Sequence, residues 1–403
     1  MNIAFLIDIL PKSGGGNSAL AAECNVIKKL SITNINIKFI ATSKITQIFL
    51  EKEFKTNILL YKKSAILNQI FFFFYKSNFI KFLLKRLKIR SNFENLLDKN
   101  QIDLLIFVAP SDLVLQLNKI NFVYTIWEFQ HKNYPFFPEY KNIFFDIDTR
   151  EETLNFVSNK AFRVFVGTDK SREDFSKLYL CDINKILIRP IKSSITSINS
   201  SVEIQSDFIN DFKEKKIKNY LFYPAQYWPH KNHKFIVDAL DYIKNNQKIS
   251  YQCIFTGSDK GNLNYIKKLI SDRGLSELIF VYEFLSDEEI AFLYKNCFAV
   301  IVPTFVGTVS FPIIEGFFFK RPVIANTVVL DDVYKDKLFN LNLNDHKCLE
   351  EILIYMKSNP KKVDSVIEDS YKFFNKNYEN QDSLNQLKNL INEYNFYQQT
   401  WKN

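Results

Sequence analysis

Cysteine is scarce in this chain: five in 403 residues, at Cys24, Cys181, Cys253, Cys297 and Cys348. They lie far apart, their total is odd, and no CxxC pair occurs. That excludes a disulfide framework and a thiolate zinc site, and fits a reducing compartment. Glycine is low as well, at nine, so each glycine cluster stands out. No stretch reaches the eighteen or so apolar residues of a membrane-spanning helix. The start, Met1 to Asp8, has no basic stretch before its apolar run, and Asp8 arrives too soon for a signal peptide. Solenoid-spaced repeats and low-complexity tracts are absent. Zinc-finger, RNP-type and helix-turn-helix patterns are absent too, so the net charge of +9 does not point to nucleic acid.

What is present is ordinary for a globular protein: 47% hydrophobic and 24% charged residues. A chain this long suits two domains rather than one core. The high count of 40 Phe and 20 Tyr rises together with Ile, Asn and Lys, as AT-rich coding produces, and carries no functional weight.

Short apolar runs alternate with helical stretches. Ile3 to Ile9, Ile37 to Ala41, Ile58 to Tyr61, Leu104 to Val108, Phe122 to Ile126 and Val164 to Val166 read as strands. After the Ser-, Asn- and Thr-rich segment Ser193 to Glu203, expected to be a linker, a second series follows. Its strands are Tyr220 to Tyr223, Gln252 to Thr256, Ile279 to Val281, Ala299 to Val302 and Pro322 to Ala325. Ser286 to Glu289 reads as a capping box that opens a helix. Strands alternating with helices predict α/β architecture with parallel sheets covered on both faces. Two such doubly wound domains would leave a cleft between the carboxyl ends of their sheets.

Three segments carry chemistry. The first runs from Pro303 to Asn326. It reads as a loop, a helix start at Pro312 and a strand. Helix-start amides, with the hydroxyls of Thr308 and Ser310, could cradle a diphosphate. Glu315, one turn in, could accept paired bonds from ribose hydroxyls, although a solvated or capping glutamate is the ordinary reading there. The second is Tyr223-Pro-Ala-Gln226-Tyr-Trp-Pro-His-Lys231-Asn-His233, where Lys231 stands at a helix start. That is a poor place for a cation unless an anion binds nearby; His230 and His233 read as loop residues. The third is Gly14-Gly15-Gly16 after the first strand, by itself a tight turn.

The Pro303 segment resembles the donor signature of retaining glycosyltransferases of GT-B fold, especially family 4, with Pro303, Pro312 and Glu315 on matching positions. Gly307 replaces the first glutamate of the E-x7-E pattern, which in the family helps hold the donor sugar. Gly307-Thr-Val-Ser310 looks like a variant run. Ala225 to His233 resembles the family's G-R-x-x-x-x-K-G turn, with Lys231 on the lysine and Gln226 in place of the arginine.

The resemblance implies GT-B fold, that is, two Rossmann-like domains facing a central cleft. The acceptor domain would span 1–195 and the donor domain 196–375, with a C-terminal helix near 376–403 packing back on the first. It also implies transfer of a hexose or deoxyhexose with retention and without a metal. The nucleotide-diphosphate sugar is a co-substrate and no further cofactor is required. Implied donor contacts are Gly15, Gly16, Gln226, Lys231, Gly257, Phe284, Thr308, Val309, Ser310 and Glu315. Glu128 and His131, after the fifth strand, are the implied residues facing the reacting sugar, with Lys231 stabilising the leaving diphosphate.

The acceptor is expected to be a glycan or lipid-linked saccharide of cell-surface polysaccharide synthesis, and the location cytoplasmic. Residues 66–90 alternate Phe and Leu with Lys and Arg at helical spacing, a basic amphipathic pattern suited to an anionic membrane surface; a core-facing helix with a basic outer side fits it as well. Two rival readings share the fold: a catalytically silent partner protein, favoured by Gly307 and Gln226, and a nucleotide-sugar 2-epimerase. The four histidines are few for the epimerase.

Overall fold

The computed structural model describes residues 1–8, 15–62, 91–141, 147–197, 206–247, 251–308, 310–379 and 382–401. Val309 and the basic segment 66–90 lie outside the described residues.

The first half forms a seven-stranded sheet: β1 (Asn2–Ile7), β2 (Asn36–Ala41), β3 (Leu59–Leu60), β4 (Leu104–Phe107), β5 (Asn121–Thr125), β6 (Arg163–Val166) and β7 (Ile186–Ile188). Their order is β3-β2-β1-β4-β5-β6-β7. Every pairing is parallel. The second half forms a six-stranded sheet: β8 (Leu221–Pro224), β9 (Cys253–Thr256), β10 (Ile279–Tyr282), β11 (Ala299–Val302), β12 (Val323–Ala325) and β13 (Phe339–Asn340). The order is β10-β9-β8-β11-β12-β13, again all parallel.

The unbroken apolar runs follow from burial on both sheet faces. In β1, Ile3 and Phe5 enter one core cluster, while Ala4 and Leu6 enter another across the sheet. The first cluster also takes Leu384, Leu387, Leu390, Ile391 and Tyr394. These residues lie on the helix Asp382–Gln398, which thus packs on the first sheet although it follows the second in sequence. Buried Arg189 helps hold it there, donating to the Ser383 carbonyl across 2.7 Å and pairing with Glu23.

Two expectations change. Strands β7 and β13 carried no clear signal, because they are short edge strands of mixed burial. The segment from Ser193 is not a free linker where it begins. Ser193 is 1% exposed, and the turn Ser194–Ser197 docks against both halves: the Ser194 amide donates to Ser18 Oγ at 2.8 Å, and the Ser193 hydroxyl reaches Glu315.

Each sheet reverses its strand order once, between β1 and β4 and between β8 and β11. Loops leave the carboxyl ends of neighbouring strands in opposite directions at such points and open a crevice. The glycine loop, the Gln226–Lys231 turn and the Pro303 loop follow β1, β8 and β11 respectively, so all three chemical segments arrive at these crevices.

Candidate functional site

A cavity of about 510 Å³ lies between the two halves. From the first half it is lined by Gly16, Ser18, Trp127, Glu128, Glu139, Tyr140 and Arg150, and from the second by Gln226, Trp228, His230, Lys231, Gly257, Phe284, Gly307, Ser310 and Glu315.

Lys231 closes the short turn Pro229–Lys231, just ahead of the helix His233–Gln247. Among the described residues no hydrogen bond or ion pair holds its ammonium. Burial lowers its pKa to about 8, with the carboxylates of Glu128 and Glu139 pulling the other way. A half-buried cation in a cavity wall, with no salt bridge of its own, is a site prepared for an anion.

Glu315 lies in the helix Phe311–Phe318 and is 4% exposed. Its two oxygens accept from the Ser193 hydroxyl and the Tyr294 phenol, each at 2.5 Å. Burial raises its pKa, against those two hydrogen bonds. Ser310 caps the helix by position, yet its side chain makes no capping bond, so the hydroxyl is not committed to the helix it precedes.

Gly257 is required by close approach. A Cβ there would stand 2.4 Å from the Ala225 carbonyl oxygen, so the ends of β8 and β9 could not come together around a larger residue. Gly307 has φ +115°, a backbone conformation that side chains disfavour. This loop is therefore shaped around glycine, and is not a glutamate loop with one side chain missing. Phe284 is 71% exposed at the cavity edge.

Glu128 reaches the cavity, but in a pair with Arg150 at 2.5 Å. Burial opposes its ionisation; the guanidinium and the Gln130 amide outweigh that and hold the carboxyl below its usual range. The Arg150 guanidinium lies over the Tyr140 ring, 5.6 Å from its centroid.

The structure does not bring His131 to the cavity. Its Nε2 meets Glu151 Oε1 at 2.7 Å, and Glu151 also accepts from Tyr179 at 2.7 Å and pairs with Lys132. His131 holds a turn together inside the first half. Thr308 also turns away: its hydroxyl meets Ser171 of the first half at 2.9 Å. Gln226 lines the cavity with both ends of its amide engaged, donating to Ser258 at 3.0 Å and accepting from Trp228 at 3.1 Å. Gly15 begins the helix Gly15–Ile27, and Gly16 lines the cavity.

Sequence reading missed Arg150, Glu139, Trp228 and His230 as cavity residues. Trp228 and His230 belong to the turn that carries Lys231, whereas Glu139 and Arg150 stand on a separate turn and helix of the first half, and no spacing signal links the two sets. His233 is fully buried, its ring 4.5 Å from that of Tyr227, and burial lowers its pKa to about 3. Among the described residues, no group of three or more His, Cys, Asp or Glu side chains is arranged to hold a metal ion. No helix among them is long and apolar enough to cross a membrane.

Residues 205–373 match the family described as Glycosyl transferases group 1, a stretch that contains the whole second sheet. The chain aligns over 98% of its length with 100% of Alr3699/HepE of Anabaena, solved in complex with UDP, at a TM-score of 0.68 and 14% identity. A glycosyltransferase from Rickettsia africae aligns over 100% of this chain and 99% of its own, with a TM-score of 0.66 and 17% identity. The fold is thus GT-B, two Rossmann-like domains facing a cleft. In sequence, the O-antigen chain mannosyltransferase RfbU of Salmonella typhimurium is 26% identical over 181 residues. That match spans 44% of this chain and 45% of RfbU, less than half the length of either.

Proposed function

We propose that this chain transfers a hexose or deoxyhexose from a nucleotide-diphosphate sugar to a glycan or lipid-linked saccharide, with retention at the anomeric carbon and without a metal ion. One observation carries the reading: the unpaired Lys231 ammonium and the buried Glu315 carboxylate share one cavity at the switch points of two facing sheets. A diphosphate answers the first and a ribose diol the second. Phe284, exposed at the cavity edge, offers a face to the base. HepE, of the same fold, was crystallised with UDP and with UDP-glucose, and RfbU is a mannosyltransferase; both support a nucleotide-sugar donor.

In this reading the bond from the anomeric carbon to the diphosphate oxygen breaks as the acceptor oxygen attacks the same face. The acceptor's proton passes to the departing phosphate. Lys231 and the start of the helix Phe311–Phe318 stabilise the charge that develops there. Glu128, oriented by Arg150, faces the sugar. The reaction belongs to cell-surface polysaccharide synthesis on the cytoplasmic side of the membrane, with residues 66–90 as the membrane-facing segment.

The test is protection against thermal unfolding by a panel of UDP-, GDP-, ADP- and dTDP-sugars, followed by release of the nucleoside diphosphate. At least one is expected to raise Tm and to turn over. A chain that none of them stabilises is not a nucleotide-sugar enzyme.

A further inference from the structure

His230 and Glu139 meet across the cleft. Glu139 belongs to the turn Pro138–Lys141 of the first half, and His230 to the turn Pro229–Lys231 of the second. The His230 Nδ1 pairs with Glu139 Oε1, and the His230 amide donates to the same oxygen at 3.3 Å. Nothing in the family signature places a histidine or its partner here.

Several observations give this pair a ligand rather than a purely structural role. A carboxylate at Nδ1 places the proton on that nitrogen, so Nε2 presents a lone pair. Among the described residues Nε2 has no partner, and His230 lines the cavity. Glu139 is 8% exposed and also lines the cavity, with its Oε2 buried and unpartnered. The ring itself is held in place, with Trp228 nearly parallel at 6.4 Å and Phe137 edge-on at 6.2 Å. Burial keeps the imidazole below its ordinary pKa, against the pull of Glu139, so it is neutral at pH 7.

A neutral, oriented acceptor backed by a carboxylate repels an anion and accepts from a hydroxyl. It stands one residue before Lys231, the cation assigned to the diphosphate, and on the wall where the two halves meet. We propose that His230 is a positioning residue whose Nε2 accepts a hydrogen bond from a sugar hydroxyl, with Glu139 of the opposite half orienting the ring. The hydroxyl belongs to the transferred sugar or to the attacking acceptor. This assignment rests on the glycosyltransferase reading above.

The experiment uses the full chain with His230→Ala, His230→Gln and Glu139→Gln. UDP and UDP-glucose, and GDP and GDP-mannose, are titrated into each protein, and hydrolysis of the nucleotide sugar is followed with water in place of the acceptor. The expected result for His230→Ala is unchanged affinity for the nucleoside diphosphate and a selective loss of about three- to tenfold, one hydrogen bond's worth. A loss confined to affinity for the nucleotide sugar assigns the hydroxyl to the donor. A loss confined to the hydrolysis rate assigns it to the attacking side. His230→Gln, which keeps an acceptor near the Nε2 position, recovers part of the loss, and Glu139→Gln shows a smaller loss of the same kind. Should the variants weaken nucleotide and nucleotide sugar equally while Tm falls, the pair is only a latch between the halves and the assignment is wrong. No change in any variant overturns it as well. Where the wild-type chain binds an ADP- or dTDP-sugar of the wider panel instead, that sugar and its nucleotide replace these probes. A chain that none of the UDP-, GDP-, ADP- and dTDP-sugars stabilises defeats the glycosyltransferase reading first, and this assignment with it.

Discussion

The Ser193 hydroxyl donates to Glu315 Oε1 at 2.5 Å, from the segment that joins the two halves. Tyr294 donates to the other oxygen, also at 2.5 Å. Both oxygens of a carboxylate proposed to grip a ribose are therefore held by protein hydroxyls in the free chain. Ser193 also meets Ser18 Oγ at 2.9 Å, so the contact ties the glycine-loop helix, the connecting segment and the donor wall together.

Ser193→Ala removes a contact that stabilises the free chain and competes with a ribose hydroxyl. Unfolding free energy is expected to fall by about 1–2 kcal/mol in urea titration. The Kd for UDP or GDP is expected to tighten a few-fold. Opposite signs are the signature; a weakened Kd would mean that Ser193 stays in the bound site.

Lys231→Ala removes an unpaired, partly desolvated cation. Stability is expected to hold or rise, because no protein partner is lost. Affinity for UDP or GDP should drop about 10- to 100-fold, the worth of a charged hydrogen-bonded contact, while binding of the nucleoside alone stays unchanged. Calorimetric titration of both ligands reads the difference.

The same lysine sets a pH dependence. Its pKa of about 8 lies below the ordinary 10.5, so between these values the folded chain binds fewer protons than the unfolded one. Stability from this group therefore rises with pH across that window. Diphosphate affinity runs the other way, falling as the ammonium deprotonates above about pH 8. Lys231→Arg, which keeps its charge, should flatten the fall between pH 7 and 9.

Gly307→Glu tests whether the loop is a lapsed glutamate site. At φ +115° any side chain is strained, and a loss of about 1–3 kcal/mol in stability is expected. Donor affinity should fall rather than improve. A gain in nucleotide-sugar binding over the nucleotide alone would show that the loop can present a carboxylate after all.

His131→Gln should cost about 1–3 kcal/mol, since it disturbs the part-buried contact between a buried ring and Glu151. Nucleotide affinity should not change, because the ring lies outside the cavity. Urea titration and UDP binding on the same variant separate the two effects.

The sequence alone determined the architecture, because the strand pattern rests on local rules. Runs such as Ile3 to Ile9 and Ala299 to Val302 read as strands because a sheet buried on both faces accepts mainly apolar residues there. Lys231 and Glu315 stood out through the resemblance of their segments to the glycosyltransferase motifs; by position alone Glu315 reads as an ordinary helix-start glutamate. Tertiary structure decided what the opposite wall contributes. Glu128 and His131 are neighbours in sequence, yet one lines the cavity in a pair with Arg150 and the other turns inward to Glu151. Glu139 meets His230 across 91 residues, and Ser193 meets Glu315 across 122. No periodicity encodes such pairs. They exist because two sheets dock with their carboxyl ends facing, and that docking selects which polar side chains must find partners across the gap.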